Sequence, residues 1–205
     1  MWSQNEVGRF DGGGGVRHDA GMRVVGGRAR GTKLLGPPSE GTRPISDRAK
    51  EALFNILGPG IRDCRVLDLF AGTGAVGIEA LSRGAAEAVL VERDREVVDV
   101  IKANLAKTRL GDHATVAQAD VFAWLDRGVG APFDVVFSGP PQWQGLWGTS
   151  LAAIDERADA LLAEGAVVVL QLDPREEAEE PELTNLELDD VRRYGNVALR
   201  FYSVA

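Results

Sequence analysis

Acidic residues and glycines stand where the chain could bind a nucleotide-like cofactor. Asp68 is followed by Leu-Phe-Ala-Gly-Thr-Gly, and Gly72 to Gly77 matches the dinucleotide pattern G-x-G-x-x-G, which is a weak signal by itself. A dinucleotide would bring an anionic pyrophosphate to this turn, where Asp68 is unfavourable. S-adenosylmethionine would bring a cationic ammonium and sulfonium. The carboxylate therefore favours S-adenosylmethionine, with a dinucleotide as the alternative.

Two further acidic residues end the next two predicted strands. Glu92 lies 20 residues beyond Gly72, where its carboxylate can accept from both ribose hydroxyls. Asp120 can accept from an adenine amino group while Val121 or Phe122 covers the ring. Asp120 also suits a simple helix N-cap. Acidic residues at three successive strand ends favour cofactor binding over capping alone.

The elements that position these residues alternate between strand and helix. The strands are predicted at 65–70, 86–91, 114–119, 133–137 and 166–172, and the helices at 75–83, 93–108, 121–127 and 151–163. This alternation predicts an α/β fold with a parallel sheet covered on both faces. Segments 183–191 and 196–204 flank Tyr194-Gly195 and predict a C-terminal antiparallel hairpin, which brings the sheet to seven strands. Ligands of such sheets bind beyond the carboxyl ends of the strands.

Charge is distributed unevenly along the 205 residues. The net charge is −8, but residues 1–50 hold nine Arg and Lys against five Asp and Glu, which is a net of +4. This basic front could neutralise nucleic-acid phosphates, or it could be an ordinary solvated surface. An acidic segment at 173–190 is predicted to be a solvated loop whose charges would repel phosphates.

Composition also limits the domain organisation. Residues 1–21 are glycine-rich without hydrophobic periodicity and are predicted to be a flexible leader, so the start could be Met1 or Met22. The remainder, 22–205, is predicted to be a single domain. Its apolar runs are too short for a membrane span, and one cysteine with two histidines excludes an internal disulfide and the usual zinc sites. We expect a cytoplasmic protein without a metal.

Several motifs resemble one known family. They are Val25-Gly26-Gly27-Arg28-Ala29-Arg30-Gly31, Thr42-Arg43-Pro44-Ile45-Ser46-Asp47-Arg48, Val66 to Gly74, Glu79 to Ala85, Val91 to Asp94 and Arg193-Tyr194-Gly195. Over about 180 residues the chain resembles the RsmD family, bacterial methyltransferases that act on the exocyclic N2 of a guanine in 16S ribosomal RNA. The Arg-Pro-x-x-Asp-Arg motif is the most specific of these. The resemblance implies a Rossmann-like class I methyltransferase fold with a small N-terminal β-hairpin.

The resemblance also implies roles for individual residues. S-adenosylmethionine contacts are expected from Asp68, Phe70, Gly72, Thr73, Gly74, Glu92, Arg93, Asp120 and Val121. Three further residues are expected to close over the methionine end of the cofactor or over the active site: Arg43, Ser46 and Asp47. A basic hairpin within 22–42, with Arg23, Arg28, Arg30 and Lys33, would hold RNA, and 43–205 would form the catalytic core.

The chain departs from the family pattern at the fourth strand end. The family has Asp or Asn, then Pro-Pro and Tyr or Phe, whereas this chain has Gly139-Pro140-Pro141-Gln142. The missing groups would accept a hydrogen bond from the target amino group and stack on the flipped base. Candidate replacements for the acceptor are Ser138, Gln142 and backbone carbonyls, and Trp143 could supply the ring. Trp147 is a weaker candidate for stacking, and both tryptophans could instead pack on the domain.

Three hypotheses follow. The first is a monomeric methyltransferase of 16S rRNA, acting on naked RNA or on an assembling small subunit. The second is a weakened homologue that binds cofactor or RNA with little turnover, because Gly139 has no side chain. The third is a class I methyltransferase with another RNA or protein substrate. A nicotinamide-dependent dehydrogenase is disfavoured because no histidine or lysine stands at a predicted strand end.

Overall fold

Strands and helices alternate along the chain, as the sequence predicts. The computed structural model describes residues 22–37, 45–128, 130–176 and 180–205, so the predicted leader and Arg43 lie outside the described residues. The strands are β1 (Arg65–Leu69), β2 (Glu87–Glu92), β3 (Ala114–Gln118), β4 (Phe133–Ser138), β5 (Leu162–Leu172), β6 (Leu186–Tyr194) and β7 (Val197–Val204). The α-helices are α1 (Asp47–Leu57), α2 (Ala75–Ser82), α3 (Arg95–Thr108), α4 (Val121–Asp126), α5 (Leu146–Asp155) and α6 (Ala158–Leu161).

All seven strands form one sheet in the order β3-β2-β1-β4-β5-β7-β6. Strands β1 to β5 are parallel to one another, and β7 pairs antiparallel with both β5 and β6. The predicted mostly parallel, seven-stranded sheet with its C-terminal hairpin is confirmed. The order reverses between β2-β1 and β4-β5, so the carboxyl ends of β1 and β4 meet at the switch point where such sheets bind ligands.

Two hydrophobic clusters cover the two faces of the sheet. One contains side chains of the N-terminal segment, α1, α2 and α3, and the other contains side chains of α4, α5 and α6. Consecutive residues of a strand belong to opposite clusters; in β5, Val169 belongs to the first and Leu170 to the second. None of the helices in the described part of the chain has the length and apolar character needed to cross a bilayer.

The structure corrects the sequence prediction at two helices. The predicted helix 151–163 is wrong: α5 begins at Leu146, α6 is a single turn, and β5 already begins at Leu162. Within α5, Trp147, Leu151 and Ile154 are buried at helical spacing, so the apolar face starts earlier than the prediction placed it. Helix α1 was not predicted. Its N-cap is Ser46, whose hydroxyl accepts from the Ala49 amide at 3.2 Å.

The N-terminal segment forms a short hairpin along α2. Arg23 and Lys33 make an antiparallel bridge, and the Val24 amide donates to the Thr32 carbonyl at 3.0 Å. Gly27 has a φ of 73°, and a Cβ at this position would lie 1.9 Å from the Ser82 carbonyl oxygen. Only glycine therefore allows the hairpin tip to approach the C-terminal end of α2 so closely.

Buried polar groups fix this hairpin to the domain. The fully buried Lys50 donates through Nζ to the Arg23 carbonyl at 2.6 Å and lies 3.8 Å from the Glu79 carboxylate, which is also fully buried. Glu79 in turn accepts from the Val25 amide at 2.8 Å and from Arg83 Nε at 2.7 Å. Burial lowers the pKa of Lys50, against the opposing effect of Glu79 and Asp47. The hairpin is thus joined to α1 and α2 by charge-assisted hydrogen bonds.

Candidate active site

A cleft of about 620 Å³ opens at the carboxyl ends of the parallel strands. That volume falls within the range of small-molecule sites, roughly 300–1,000 Å³. Ten of the predicted cofactor and catalytic residues line the cleft: Phe70, Glu92, Arg93, Asp120, Val121, Gly139, Pro140, Pro141, Gln142 and Trp143. Its lining also includes Asp94, Val97, Phe122, Gln144, Leu146 and Gln171. Residues from the ends of β1 to β4 therefore meet at one site, although Phe70 is its only predicted residue from the β1 end, and Asp68, Gly72, Thr73 and Gly74 do not line the cleft.

The glycine turn after β1 is held by carboxylates. The Gly72 amide donates to Glu92 Oε2 at 3.0 Å, and the Gly77 amide donates to Asp68 Oδ2 at 2.9 Å. The Gly74 amide donates to the Ala71 carbonyl at 2.8 Å. All three glycine amides therefore have partners within the protein, so the turn is fixed before a ligand binds.

Asp68 lies beneath the turn rather than at its surface. Only 1% of the residue is exposed, and burial raises the pKa of its carboxyl to about 8, with a smaller contribution from Glu92 and an opposing one from the Gly77 amide. In this position Asp68 fixes the start of α2 through Gly77. Its predicted contact with the cofactor ammonium stays a prediction.

Thr73 and Gly74 also shape the turn from inside. Thr73 is buried, and its hydroxyl donates to the Met22 sulfur at 3.3 Å, while its carbonyl accepts from Asn104 Nδ2 at 3.0 Å. Gly74 caps α2 with a φ of 78°, and a Cβ there would come within 3.1 Å of Leu90 and 3.2 Å of Ile101. These contacts connect the N-terminal segment, α3 and the glycine turn.

Glu92 is placed to bind hydroxyl groups. Its two oxygens accept from the amides of Gly72 and Asp94, both at 3.0 Å, and each carboxylate oxygen has a further lone pair. The side chain is partly exposed in the cleft. It can therefore accept from ribose hydroxyls while it holds the turn.

Asp120 is the N-cap of α4, which was the alternative to a cofactor role. Its Oδ1 accepts from the amides of Phe122 and Ala123 at 3.0 and 3.1 Å. The residue is exposed and lines the cleft, so its other oxygen is available to a ligand. The Phe122 ring meets the Phe70 ring edge-on at 6.2 Å between centroids, and these two rings form an apolar wall beside Asp120. Capping and adenine recognition are thus compatible.

The residues expected to close the site have other partners in this structure. Ser46 caps α1, and Asp47 Oδ2 accepts from Arg23 Nε at 3.0 Å. Neither residue lines the cleft. Their predicted role at the methionine end of the cofactor stays a prediction.

The turn after β4 lies opposite the glycine turn. The Gly139 amide donates to the Leu69 carbonyl at 3.3 Å, which joins the ends of β4 and β1. Ser138 is fully buried, and its hydroxyl bonds to the Ser150 hydroxyl at 3.1 Å behind the sheet. Ser138 shares the α5 face of β4 with Val136, and its hydroxyl already has a partner there, so Ser138 is removed from the candidate hydrogen-bond acceptors.

The two tryptophans differ in their surroundings. Trp147 is 5% exposed, and its Nε1 donates to the Glu176 carbonyl at 3.1 Å, so it packs on the domain. Trp143 is 59% exposed at the cleft, with its amide on the Glu176 carboxylate and the Arg175 guanidinium 5.0 Å from its ring centroid. Its φ of 64° is unusual for a residue with a side chain. Of the two, Trp143 alone presents a ring for stacking.

The predicted RNA-binding residues lie on the hairpin rather than in the cleft. Arg28, Arg30 and Lys33 are exposed, and none of them forms an ion pair with another described residue. The Arg28 amide donates to the Ser82 carbonyl, which places the hairpin tip at the end of α2 away from the glycine turn. The eight residues of α2 separate the hairpin tip from the glycine turn by about 12 Å.

Comparison with known proteins identifies the family. A family model described as "Conserved hypothetical protein 95" matches residues 22–203. The chain belongs to this family. It is also 41% identical over 150 residues to ribosomal RNA small subunit methyltransferase D of Escherichia coli K12, which covers 73% of this chain and 74% of that protein. The resemblance to the RsmD family is therefore confirmed.

Solved structures agree with this assignment. A hypothetical protein of Thermus thermophilus shares 38% identity with a TM-score of 0.71 and covers 87% of this chain and 97% of that chain. SMU.776, solved in complex with SAH, shares 13% identity with a TM-score of 0.61, covers 76% of this chain and 48% of that chain, and supports the fold alone. The predicted class I methyltransferase fold is confirmed, and S-adenosylmethionine is the cofactor of such methyltransferases.

The residues of the cleft fit this cofactor. Glu92, Asp94 and Asp120 place three carboxylates against one arginine, Arg93, which suits a cationic ligand. Glu92 offers acceptors for ribose hydroxyls, and Phe70 and Phe122 offer apolar surface for a base. When bound, S-adenosylmethionine supplies a methyl group on a positively charged sulfur, which needs no further activation.

Proposed function

We propose that this chain transfers a methyl group from S-adenosylmethionine to the exocyclic N2 of a guanine in 16S ribosomal RNA, as a monomer in the cytoplasm. The observation that carries this proposal is that one cleft joins the Glu92 strand end to the Gly139-Pro140-Pro141 turn. The cofactor end and the reaction end are therefore within reach of one another. The relative in Escherichia coli, named for small-subunit ribosomal RNA, supports the substrate class.

The surfaces around the cleft support an RNA substrate. Trp143 offers an exposed ring at the cleft mouth on which a flipped base can stack. The hairpin offers four exposed cations for the phosphate backbone: Arg23, which is paired with Asp47, and Arg28, Arg30 and Lys33, which form no ion pair with a described residue. Because the hairpin tip and the cleft lie at opposite ends of α2, the RNA would extend along this helix while one nucleotide enters the cleft.

Gly139 favours a second candidate function. Without a side chain at this position, the protein could bind cofactor and RNA yet transfer methyl groups slowly or not at all. Methyl transfer depends more on the position of the nucleophile than on proton abstraction, so the loss of one acceptor lowers the rate without excluding the reaction.

Transfer of radiolabelled methyl groups distinguishes these functions. The substrates are 16S rRNA and small subunits that lack the modification, with cofactor affinity measured by calorimetry in parallel. We expect label in RNA and, after nuclease digestion and mass spectrometry, N2-methylguanine. Cofactor binding without transfer would instead support the second function, and label in another RNA or in a protein would contradict the proposed substrate.

A further inference from the structure

The end of β5 places a side-chain amide beside the glycine that interrupts the reaction turn. We infer that Gln171 supplies the hydrogen-bond acceptor for the target amino group that Gly139 cannot supply. This inference rests on the proposed function, because it assigns the acceptor for that reaction. Gln171 stood in an apolar run of the sequence, and the motifs did not indicate it.

The sheet register brings Gln171 next to Gly139. Leu170 of β5 pairs with Ser138 of β4, so the next residue on each strand is Gln171 and Gly139, respectively. A Cβ built on Gly139 would lie 4.0 Å from the Gln171 Cβ. A side chain at position 139 would therefore enter the space beside Gln171.

The alternation along β5 turns Gln171 away from the residues around it. Leu170 and Leu172 belong to the cluster that packs on α5 and α6, whereas Val169 belongs to the opposite cluster, with Phe137. Gln171 shares the face of Val169 and lines the cleft. Its amide is thus the polar group that this strand offers to the cleft.

The Gln171 amide is also available. Its Oε1 is buried and has no hydrogen-bond partner among the described residues. An unpaired buried acceptor is unfavourable, and rotation of the terminal amide turns the oxygen toward the cleft, where a substrate N–H can donate to it. Gln142 also lines the cleft, but it lies in the loop, while Gln171 lies within β5 and pairs with Leu199 of β7.

The chemistry needs an acceptor rather than a base. The lone pair of an exocyclic amino nitrogen is delocalised into the base, and a hydrogen bond from one N–H to Gln171 Oε1 would hold that lone pair toward the methyl carbon. The nitrogen then bonds to the methyl carbon as the carbon–sulfur bond breaks, and the sulfur keeps that electron pair. The methylated nitrogen releases one proton to water, because a neutral amide does not take it.

Removal of the amide tests this role. We expect Gln171→Leu to lower kcat for methyl transfer by roughly 10- to 100-fold, because the nucleophile is no longer oriented, with cofactor Kd unchanged. Gln171→Glu keeps an acceptor oxygen and should retain more activity than Gln171→Leu. The matched variant Gln142→Leu removes the loop amide from the same cleft and should reduce kcat less.

Restoration of a side chain at position 139 provides the decisive comparison. Gly139 does not have a left-handed φ, and its added Cβ would meet the Phe137 ring at 3.1 Å, which a shift of a few tenths of an ångström relieves. We expect the double variant with Gly139→Asn and Gln171→Leu to recover most of the kcat that Gln171→Leu alone loses. This rescue would not follow if Gln171 served only the packing of β5.

Each other outcome counts against the inference in a distinguishable way. Full kcat in Gln171→Leu, or a larger loss in Gln142→Leu, overturns the inference while the proposed function stands. If Gln171→Leu loses cofactor binding together with kcat, or if the added Gly139→Asn does not restore transfer, Gln171 has a structural role. Either result also overturns the inference. If the unmodified protein transfers no methyl group to ribosomal RNA, the proposed function fails and the inference fails with it.

Discussion

The two halves of the cleft differ in how completely their polar groups are paired. At the glycine turn, Asp68 accepts a hydrogen bond from the Gly77 amide, and Glu92 accepts one from the Gly72 amide. At the opposite turn, the Gln171 oxygen has no partner among the described residues, and Gly139 offers no side chain at all. Paired groups fix a binding surface before the ligand arrives, whereas unpaired ones await a substrate. Substitutions at the first half should thus remove binding and stability together, and those at the second half should reduce turnover.

The largest effect is expected at Asp68. Asp68→Ala leaves the Gly77 amide unpaired and opens a buried cavity, so we expect the free energy of unfolding to fall by about 2–4 kcal/mol and cofactor binding to become undetectable. Calorimetry and urea denaturation measure both. The exposed Asp99 on α3 provides the control, since Asp99→Ala should change neither quantity. Unchanged cofactor affinity in Asp68→Ala would show that binding does not depend on the hydrogen bond from the Gly77 amide to Asp68.

The two tryptophans that follow the Gly139 turn separate a residue of the second half, Trp143, from one outside the cleft lining, Trp147. Trp147 is buried and Trp143 is exposed, so Trp147→Ala should lower the free energy of unfolding by about 3 kcal/mol, while Trp143→Ala should change it by less than about 0.5 kcal/mol. Trp143→Ala should instead raise KM for RNA about tenfold, through loss of stacking. Denaturation and steady-state transfer assays measure these effects. Equal effects on stability would contradict the assignment of Trp143 to the substrate.

Asp68 also predicts a pH dependence of stability. Its pKa is about 8 in the folded protein and about 3.9 in an unfolded chain, so the folded state holds the proton more tightly. This contribution is fully present below pH 4 and is lost as pH rises through 8. Relative to Asp68→Asn, the unfolding free energy of the natural protein should decline from pH 5 to 8 by at most about 1.4 kcal/mol per unit. Parallel curves for the two proteins would show that Asp68 is ionised throughout.

The smallest effect is expected on the hairpin, outside both halves of the cleft. Arg28→Ala with Arg30→Ala should reduce the slope of log affinity for RNA against log salt by about 1.5 and leave cofactor affinity unchanged. Filter binding from low to moderate salt measures the slope. Arg127→Ala with Arg192→Ala removes the same charge from the end of α4 and from β6 and should leave the slope unchanged. An unaltered slope in the hairpin variant would remove these arginines from the RNA surface.

The sequence was most informative where chemistry and local periodicity coincide. The succession of strands and helices along the chain, the acidic strand ends and the glycine turn follow from alternation and from motifs, and the structure brings Glu92, Asp120 and Gly139 to one cleft. The order of the strands within the sheet was not predicted. The boundaries of α5 were wrong because apolar residues on either side of a short turn have similar spacing. The burial of Ser138 and the approach of Gln171 depend on side-chain direction and strand register, which no local pattern encodes.

The hydrogen bonds beneath the hairpin bear on how RNA is bound. Detachment of the hairpin would leave Lys50 without the Arg23 carbonyl and Glu79 without the Val25 amide, inside an apolar interior. The hairpin and the sheet should therefore unfold as one cooperative unit, and the amides of Val25 and Ala29 should exchange hydrogen with solvent only through global opening. Segments that fold on RNA lose affinity to the entropy of ordering. This basic surface is ordered in advance, so its charges meet the phosphates without that loss.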